Sequence, residues 1–193
     1  MNLNKISKLC KKNRQINIYD VLDENGNIDF QCVGNRYAFY ALHGIGFLNE
    51  TNIYTLFNIP FNTGNGYTVR HTNIPVYLPT AYDPEERPLK IPQVNLIQDA
   101  RYGKIISLIN TEHRAILINN EYYDPLDMSI YAYNIYSRVV AENKPPYIAV
   151  YDGMIFQAYI APIMPGEETI RDMTELGAAI KNIIYYNEEG SFD

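Results

Sequence analysis

Tryptophan is absent from this chain, and cysteine and histidine are scarce, at two and three residues in 193. Two cysteines, Cys10 and Cys32, do not make a disulfide-stapled scaffold, so the core must be held by apolar packing. Cys32 reads as a small buried hydrophobe, and Cys10 as a thiol whose pKa the surrounding lysines lower. His43, His71 and His113 form no HxH or HxxxH pair, so no metal site is expected, and no cofactor. No run approaches the length of a membrane-spanning helix. The basic stretch MNLNKISKLCKKNRQ is not followed by an apolar segment; no secretory signal is read, and the cytoplasm is the expected compartment. A GxSxG elbow and a GxGxxG fingerprint are missing, and TGNGYT at 63–68 lacks the Gly-Lys-Ser/Thr ending of a phosphate-binding loop, which leaves it as a turn.

What is present suits a sizeable core. Apolar residues make up 47% of the chain, enough for one domain or two small ones around a shared interior. Tyrosine is abundant at 18 residues. With frequent Asn and Ile this fits an AT-rich coding bias, although tyrosine also serves interfaces, packing its ring while its hydroxyl stays satisfied. Charge is unevenly spread. Residues 1–14 carry Lys5, Lys8, Lys11, Lys12 and Arg14 without an acid, so the remainder holds 11 basic against 22 acidic side chains, a net of −11 within a total of −6. Such a body repels a phosphate backbone, and the basic segment is the candidate nucleic-acid contact.

Periodicity points to hairpins. A short amphipathic helix is expected over 3–13, with Ile6 and Leu9 as its apolar stripe. INIYDVL at 16–22 and IDFQCV at 28–33 alternate on either side of DENGN, whose Asn25-Gly26 tolerates positive φ. RYAFYAL at 36–42 reads as a third strand. A helix follows near Asn49, with Leu48 and Ile53 as a staple across the cap, a buried face of Ile53, Leu56 and Phe57, and an end before Pro60. Six prolines interrupt residues 60–100; IPVYLP is read there as an edge strand and AYDPEERPLKIP as an exposed loop, decorated by Asp83, Glu85, Glu86 and Arg87. KIISLI at 104–109 and RAILIN at 114–119 form a second hairpin around NTEH. A helix is expected over MSIYAYNIYSRVVAEN, capped by Asp127. A third hairpin lies in PPYIAVYDGMIFQAYIAPI, turning at Asp152-Gly153. A C-terminal helix capped by Thr169 presents Met173, Leu176, Ile180 and Ile183. The fold class is therefore α+β, a mostly antiparallel sheet built from hairpins with two to four helices. Residues 1–14 form a basic segment ahead of one domain, 15–193. That domain divides either into no parts or into two similar halves, 15–75 and 100–186, joined by the proline-rich loop.

In that comparison CVGNRYAFYAL lies opposite LINNEYYDPL. Both follow an alternating stretch and both carry closely spaced tyrosines. Tyr37, Tyr40, Tyr122, Tyr123 and Asp124 are the candidate protein-binding residues, with Tyr122 and Tyr123 on opposite sides of an extended backbone. The bland alternative is a strand exit. A Cys32–His43 nucleophile pair has neither a helix N-terminus nor an orienting group to support it.

IYDV, the turn, and NRYAFYALHGIGFLNETNIYTLFNIP, followed by GKIISLIN, YYDPLD and YIAVYDGMIFQAYIAPI, resemble uncharacterised small proteins of phages and prophages of AT-rich Gram-positive bacteria. The resemblance covers most of the chain except its termini. It implies an accessory phage protein and confers no activity. The expected function is non-enzymatic, through contacts with a protein of host or phage origin. The alternatives are a DNA-associated accessory factor resembling sliding clamps and a small enzyme with an enclosed pocket.

Overall fold

The side chain of Asn2 starts the first helix by accepting the Lys5 N–H at 3.2 Å, and Arg14 ends it in a left-handed conformation with φ 50°. The structure is a computed structural model that describes residues 1–60, 66–75, 78–92, 96–99, 103–110, 115–139, 146–164, 166–168, 170–175 and 178. The chain separates into two compact units, Met1–Pro162 and Ile163–Asp193. In the second unit residues 170–175 are helical, and Thr174 Oγ1 donates to the Ile170 carbonyl at 2.8 Å. Thr169, Leu176, Ile180 and Ile183 of the expected C-terminal helix lie outside the described residues.

The first unit is α+β and mostly antiparallel. After helix α1 (Leu3–Asn13) come strands β1 (Gln15–Leu22), β2 (Ile28–Gly34) and β3 (Ala38–Ala41), then helix α2 (Asn52–Leu56) and β4 (Thr68–Asn73). β5 (Leu96–Asp99), β6 (Gly103–Ile109) and β7 (Ala115–Asn119) form a separate three-stranded sheet. A single turn of helix α3 (Asn120–Tyr123) and two 3-10 turns lead to β8 (Asn134–Arg138), β9 (Tyr147–Asp152) and β10 (Ile155–Ile160). The main sheet has the order β4-β1-β2-β3-β10-β9-β8, with β4 alone parallel to its neighbour. An antiparallel β3–β10 junction joins two three-stranded meanders, β1-β2-β3 and β10-β9-β8, and β4 is added at the outer edge of the first. The hairpins at 16–33 and 104–119, matched by sequence, lie in different sheets.

The central strands β3, β10 and β9 are buried on both faces, so they alternate between two kinds of apolar residue, whereas the edge strand β4 is mostly exposed and polar. Ile16, Ile18, Val33, Tyr40, Val150 and Ile160 face a core shared with α1, α2 and the smaller sheet. Val21, Cys32, Phe39, Tyr136, Tyr151, Phe156 and Tyr159 face a second, aromatic core, closed by Ile74, Leu78 and Tyr82. A bulge between Phe156 and Ala158 keeps this alternation in step, leaving Phe156 and Tyr159 on the aromatic side and Ala158 and Ile160 on the other.

Four expectations are corrected. The helix expected over 128–143 is not formed across its described residues, 128–139: Ser129 caps only a 3-10 turn, Ile130–Ala132, and the chain then enters β8; residues 140–143 lie outside the described residues. Ile135 and Tyr136 are each claimed by a different core, which only an extended backbone allows. Asp127 is a left-handed residue after the preceding 3-10 turn and caps no helix; it pairs with Lys5 at 3.7 Å. Leu56 lies exposed on α2, while Ile53 and Phe57 are buried. Ile74, Pro75 and Leu78–Pro79 of the expected edge strand are not in strand conformation, and its Val76 and Tyr77 lie outside the described residues. The turn expected at 110–113 also lies outside them apart from Asn110, as does His113.

The β2–β3 turn leaves no room for a side chain at Gly34. A Cβ there would sit 2.0 Å from the Ala38 carbonyl oxygen and 2.5 Å from the Phe39 Cα, both main-chain atoms held by the sheet. Gly34→Ala is expected to lower stability by about 2–3 kcal/mol, read as an earlier urea midpoint. An unchanged midpoint would mean that the turn opens at no cost.

Candidate functional site

The two tyrosine-bearing passages meet in space. Tyr40 donates its hydroxyl to the Tyr122 carbonyl at 2.6 Å, and the Tyr37 and Tyr122 rings lie 5.6 Å apart, with the Arg36 guanidinium over Tyr37. Most of this contact is internal. Tyr40 and Tyr123 are buried, while Tyr37 and Tyr122 are half-buried against each other. Residues 120–123 form a helical turn rather than an extended exit, capped by Asn119, whose side chain accepts the Glu121 N–H at 2.8 Å. Asp124 is exposed and accepts from Asn120 Nδ2 at 3.2 Å.

The Tyr123 hydroxyl is buried without a hydrogen-bond partner, and burial raises its pKa. An unsatisfied buried hydroxyl carries a desolvation penalty that its removal relieves. Tyr123→Phe is therefore expected to raise stability by about 1 kcal/mol, whereas Tyr40→Phe, which gives up a made bond, lowers it by about the same amount. Urea unfolding of the two variants side by side checks the opposite signs.

The basic segment packs onto the same region. Lys5 Nζ donates to the Asp124 carbonyl at 2.9 Å, and Lys12 pairs with Glu121 at 2.7 Å. Lys8 and Arg14 are exposed and Lys11 is half-buried, outside these pairs. Cys10 sits on the buried side of α1, and burial pushes its thiol up to about 12, against the lowering that its lysine neighbours suggest in sequence. Burial raises the Cys32 thiol as well. Neither is a nucleophile at neutral pH. Among the described residues no group of three His, Cys, Asp or Glu side chains could hold a metal ion.

The surface with recognition character lies at the end of the sheet where β1, β3 and β9 stop and β2 and β10 start. Leu42–Phe47 crosses this end, turning at Gly44 with φ 75°. Gln31 holds the loop at both ends. Its carbonyl accepts the Leu42 N–H at 2.7 Å, its side-chain oxygen accepts the Leu48 N–H at 2.6 Å, and its amide donates to the Leu48 carbonyl at 3.0 Å. The same amide donates to Asp20 at 2.6 Å, and Asp20 receives His71 Nε2 at 2.9 Å to both oxygens. These polar groups form a brace behind the loop. His43 stacks on Phe30 with ring centroids 5.0 Å apart, and its Nε2 lies 2.8 Å from the Phe156 carbonyl. A carbonyl only accepts, so Nε2 carries the proton.

The brace leaves large apolar side chains in solvent. Phe47 is 58% exposed, Ile155 56% and Met154 73%. They border two adjoining depressions of about 410 and 530 Å3 that share Leu42, His43, Ile45 and Ile155 as a common wall. Thr80, Ala81 and Tyr82 close one side of the first. The sequence signal lies in HGIGF and GMIF, whose Phe47, Met154 and Ile155 stay outside both cores while Ile45 and Phe156 pack against or within them. Searches against protein-family models, curated proteins and solved structures find no match to this chain.

Proposed function

We propose that this chain is a non-enzymatic docking protein, an accessory factor of phage or prophage type that acts by protein contact through the apolar end of its main sheet. One observation carries the reading: Phe47, Met154 and Ile155 stand exposed around two depressions, Phe47 on a loop that Gln31 holds in place and Met154 and Ile155 where the chain turns into β10. Large apolar side chains clustered in solvent mark interaction sites, and a pre-set loop lowers the ordering cost of binding. A nucleic-acid role draws less support, because Lys5 and Lys12 of the basic helix are engaged by Asp127 and Glu121.

The test compares immobilised wild-type protein with Phe47→Asp in capture from host or phage-infected extract. Phe47 is mostly exposed, so the substitution leaves the fold intact, which a thermal melt confirms. A discrete polypeptide held by the wild type and lost from the variant supports docking at this surface. Identical captures, or capture that follows Lys8 and Arg14 instead, overturn it.

A further inference from the structure

The two depressions also indicate what binds. The segments that form this end of the sheet, residues 22–29, 42–50 and 152–156, hold Asp23, Glu24, Asp29, Glu50 and Asp152 and not one lysine or arginine. Asp29 lines the first depression, and no lysine or arginine side chain lines either one. Asp23 accepts the N–H groups of Asn25 and Asn27, each at 2.8 Å, and these bonds hold its carboxyl below the usual range, so it stays charged. Carboxylates thus rim the first depression, whose lining is mixed; the second is mainly apolar and is also lined by Met1, whose ammonium is paired with Asp127 at 3.5 Å.

Building on the docking role proposed above, we infer that the occupant is a peptide segment of a partner protein that carries two large apolar side chains flanked by lysine or arginine. The two depressions on either side of the Leu42–Ile45–Ile155 wall each take one apolar side chain. The segment runs across that wall and packs on Leu42, Ile45 and Ile155. The flanking cations face Asp29 and the carboxylates of the two hairpin tips. Rim charges of this kind raise the association rate and exclude acidic competitors, and salt screens their effect. An acidic peptide of the same apolar content is repelled.

The test is selection of a random peptide library on the purified full chain at low salt, followed by fluorescence-polarisation titration of the enriched peptides. Titrations use the wild type, Phe47→Asp, and the double variant Asp29→Lys/Asp152→Lys. The expected result is a set of peptides with two apolar residues and basic flanks. Their affinity falls about tenfold with Phe47→Asp, severalfold with the charge reversal, and severalfold from low to high salt. Peptides that need Phe47 but have neutral or acidic flanks, and bind the charge-reversed variant equally well, overturn the basic-flank inference while docking stands. Peptides indifferent to Phe47→Asp, or an empty selection, remove the docking reading as well. A solution mass that rises with concentration for the wild type and not for Phe47→Asp places a second copy on the surface and overturns the peptide occupant.

Discussion

Replacing Arg138 by alanine is expected to lower the unfolding free energy by about 3–5 kcal/mol, among the largest effects of any single substitution in this chain. The residue sits at the end of β8, 10% exposed, and reaches across the aromatic face of the sheet. Its Nε and Nη2 hold the Glu86 carboxylate at 3.1 and 2.7 Å, and Nη2 also donates to the Ala81 carbonyl at 3.1 Å. Nη1 donates to the Pro79 carbonyl and, at 3.1 Å, to the Tyr159 hydroxyl. The guanidinium lies over the Tyr151 ring at 5.2 Å. Burial opposes its charge, but the bonds to Glu86 and Tyr159 outweigh that and hold its pKa above the ordinary value. Alanine would leave Glu86, itself only 21% exposed, without its partner, and would loosen a loop that the Tyr151 and Tyr159 hydroxyls also tie through the 79–81 carbonyls and that Leu78 and Tyr82 pack onto the aromatic core. Lysine keeps the charge but not the planar fork, so Arg138→Lys recovers less than half of the loss. Urea unfolding at neutral pH gives the answer. A loss under about 1 kcal/mol for the alanine variant would show that the loop packs on the aromatic core without this residue.

The second large effect is unfolding in mild alkali. Burial raises the thiols of Cys10 and Cys32 above their ordinary value of 9.0 and the hydroxyls of Tyr40, Tyr123, Tyr151 and Tyr159 above 10.0. In each case the folded chain keeps a proton that the unfolded chain gives up. The stability these groups confer is complete below the unfolded values and is lost as pH climbs toward the folded ones. Each group then contributes a loss of about 1.4 kcal/mol per pH unit. At about pH 11, Cys10 alone accounts for roughly 2–3 kcal/mol, a sizeable share of the stability of a domain of this kind, and the buried tyrosines add to the loss in the same direction. The melting temperature is expected to hold steady from neutrality to about pH 8.5 and to fall steeply above it. Exposed tyrosines such as Tyr131 ionise with the fold intact, so the expected signature is a second step of phenolate absorbance that coincides with loss of the circular-dichroism signal. Complete phenolate formation while the fold persists would place the buried hydroxyls in contact with water and undo the argument.

Arg138 also shows where sequence reading stops. Glu86 reads as surface decoration on an exposed loop, because nothing near it in the chain requires a carboxylate. Its partner lies 52 residues away. Other features were legible because their cause is local. DENGN turns because Asp23 accepts main-chain N–H groups within four residues and Gly26 takes φ 81°. The helix at 3–13 forms because Asn2 caps it and Ile6 and Leu9 fall on one face. The candidate site divides in the same way. Cys32–Leu42 and Leu117–Leu126 were alike in sequence as matching parts of two halves, which said nothing of a contact; their meeting through Tyr40 and Tyr122 leaves Tyr40 and Tyr123 buried and Tyr37 and Tyr122 half-buried.

Sequence alone therefore determined the α+β class, the three hairpins, the first helix and the basic first turns, since each follows from alternation, capping or turn chemistry within a few residues. Tertiary structure alone decided that 134–138 is a strand and not a helix, because β9 offered an edge and two cores claimed alternate side chains. It decided that Tyr136, Tyr151 and Tyr159 are interior, because Ile74, Leu78 and Tyr82 close over them and the carbonyls of residues 79–81 take the hydroxyls of Tyr151 and Tyr159. It decided, too, which apolar residues remain in solvent. Phe47, Met154 and Ile155 are far apart in the chain and become one surface only when β3 and β10 pair at the centre of the sheet.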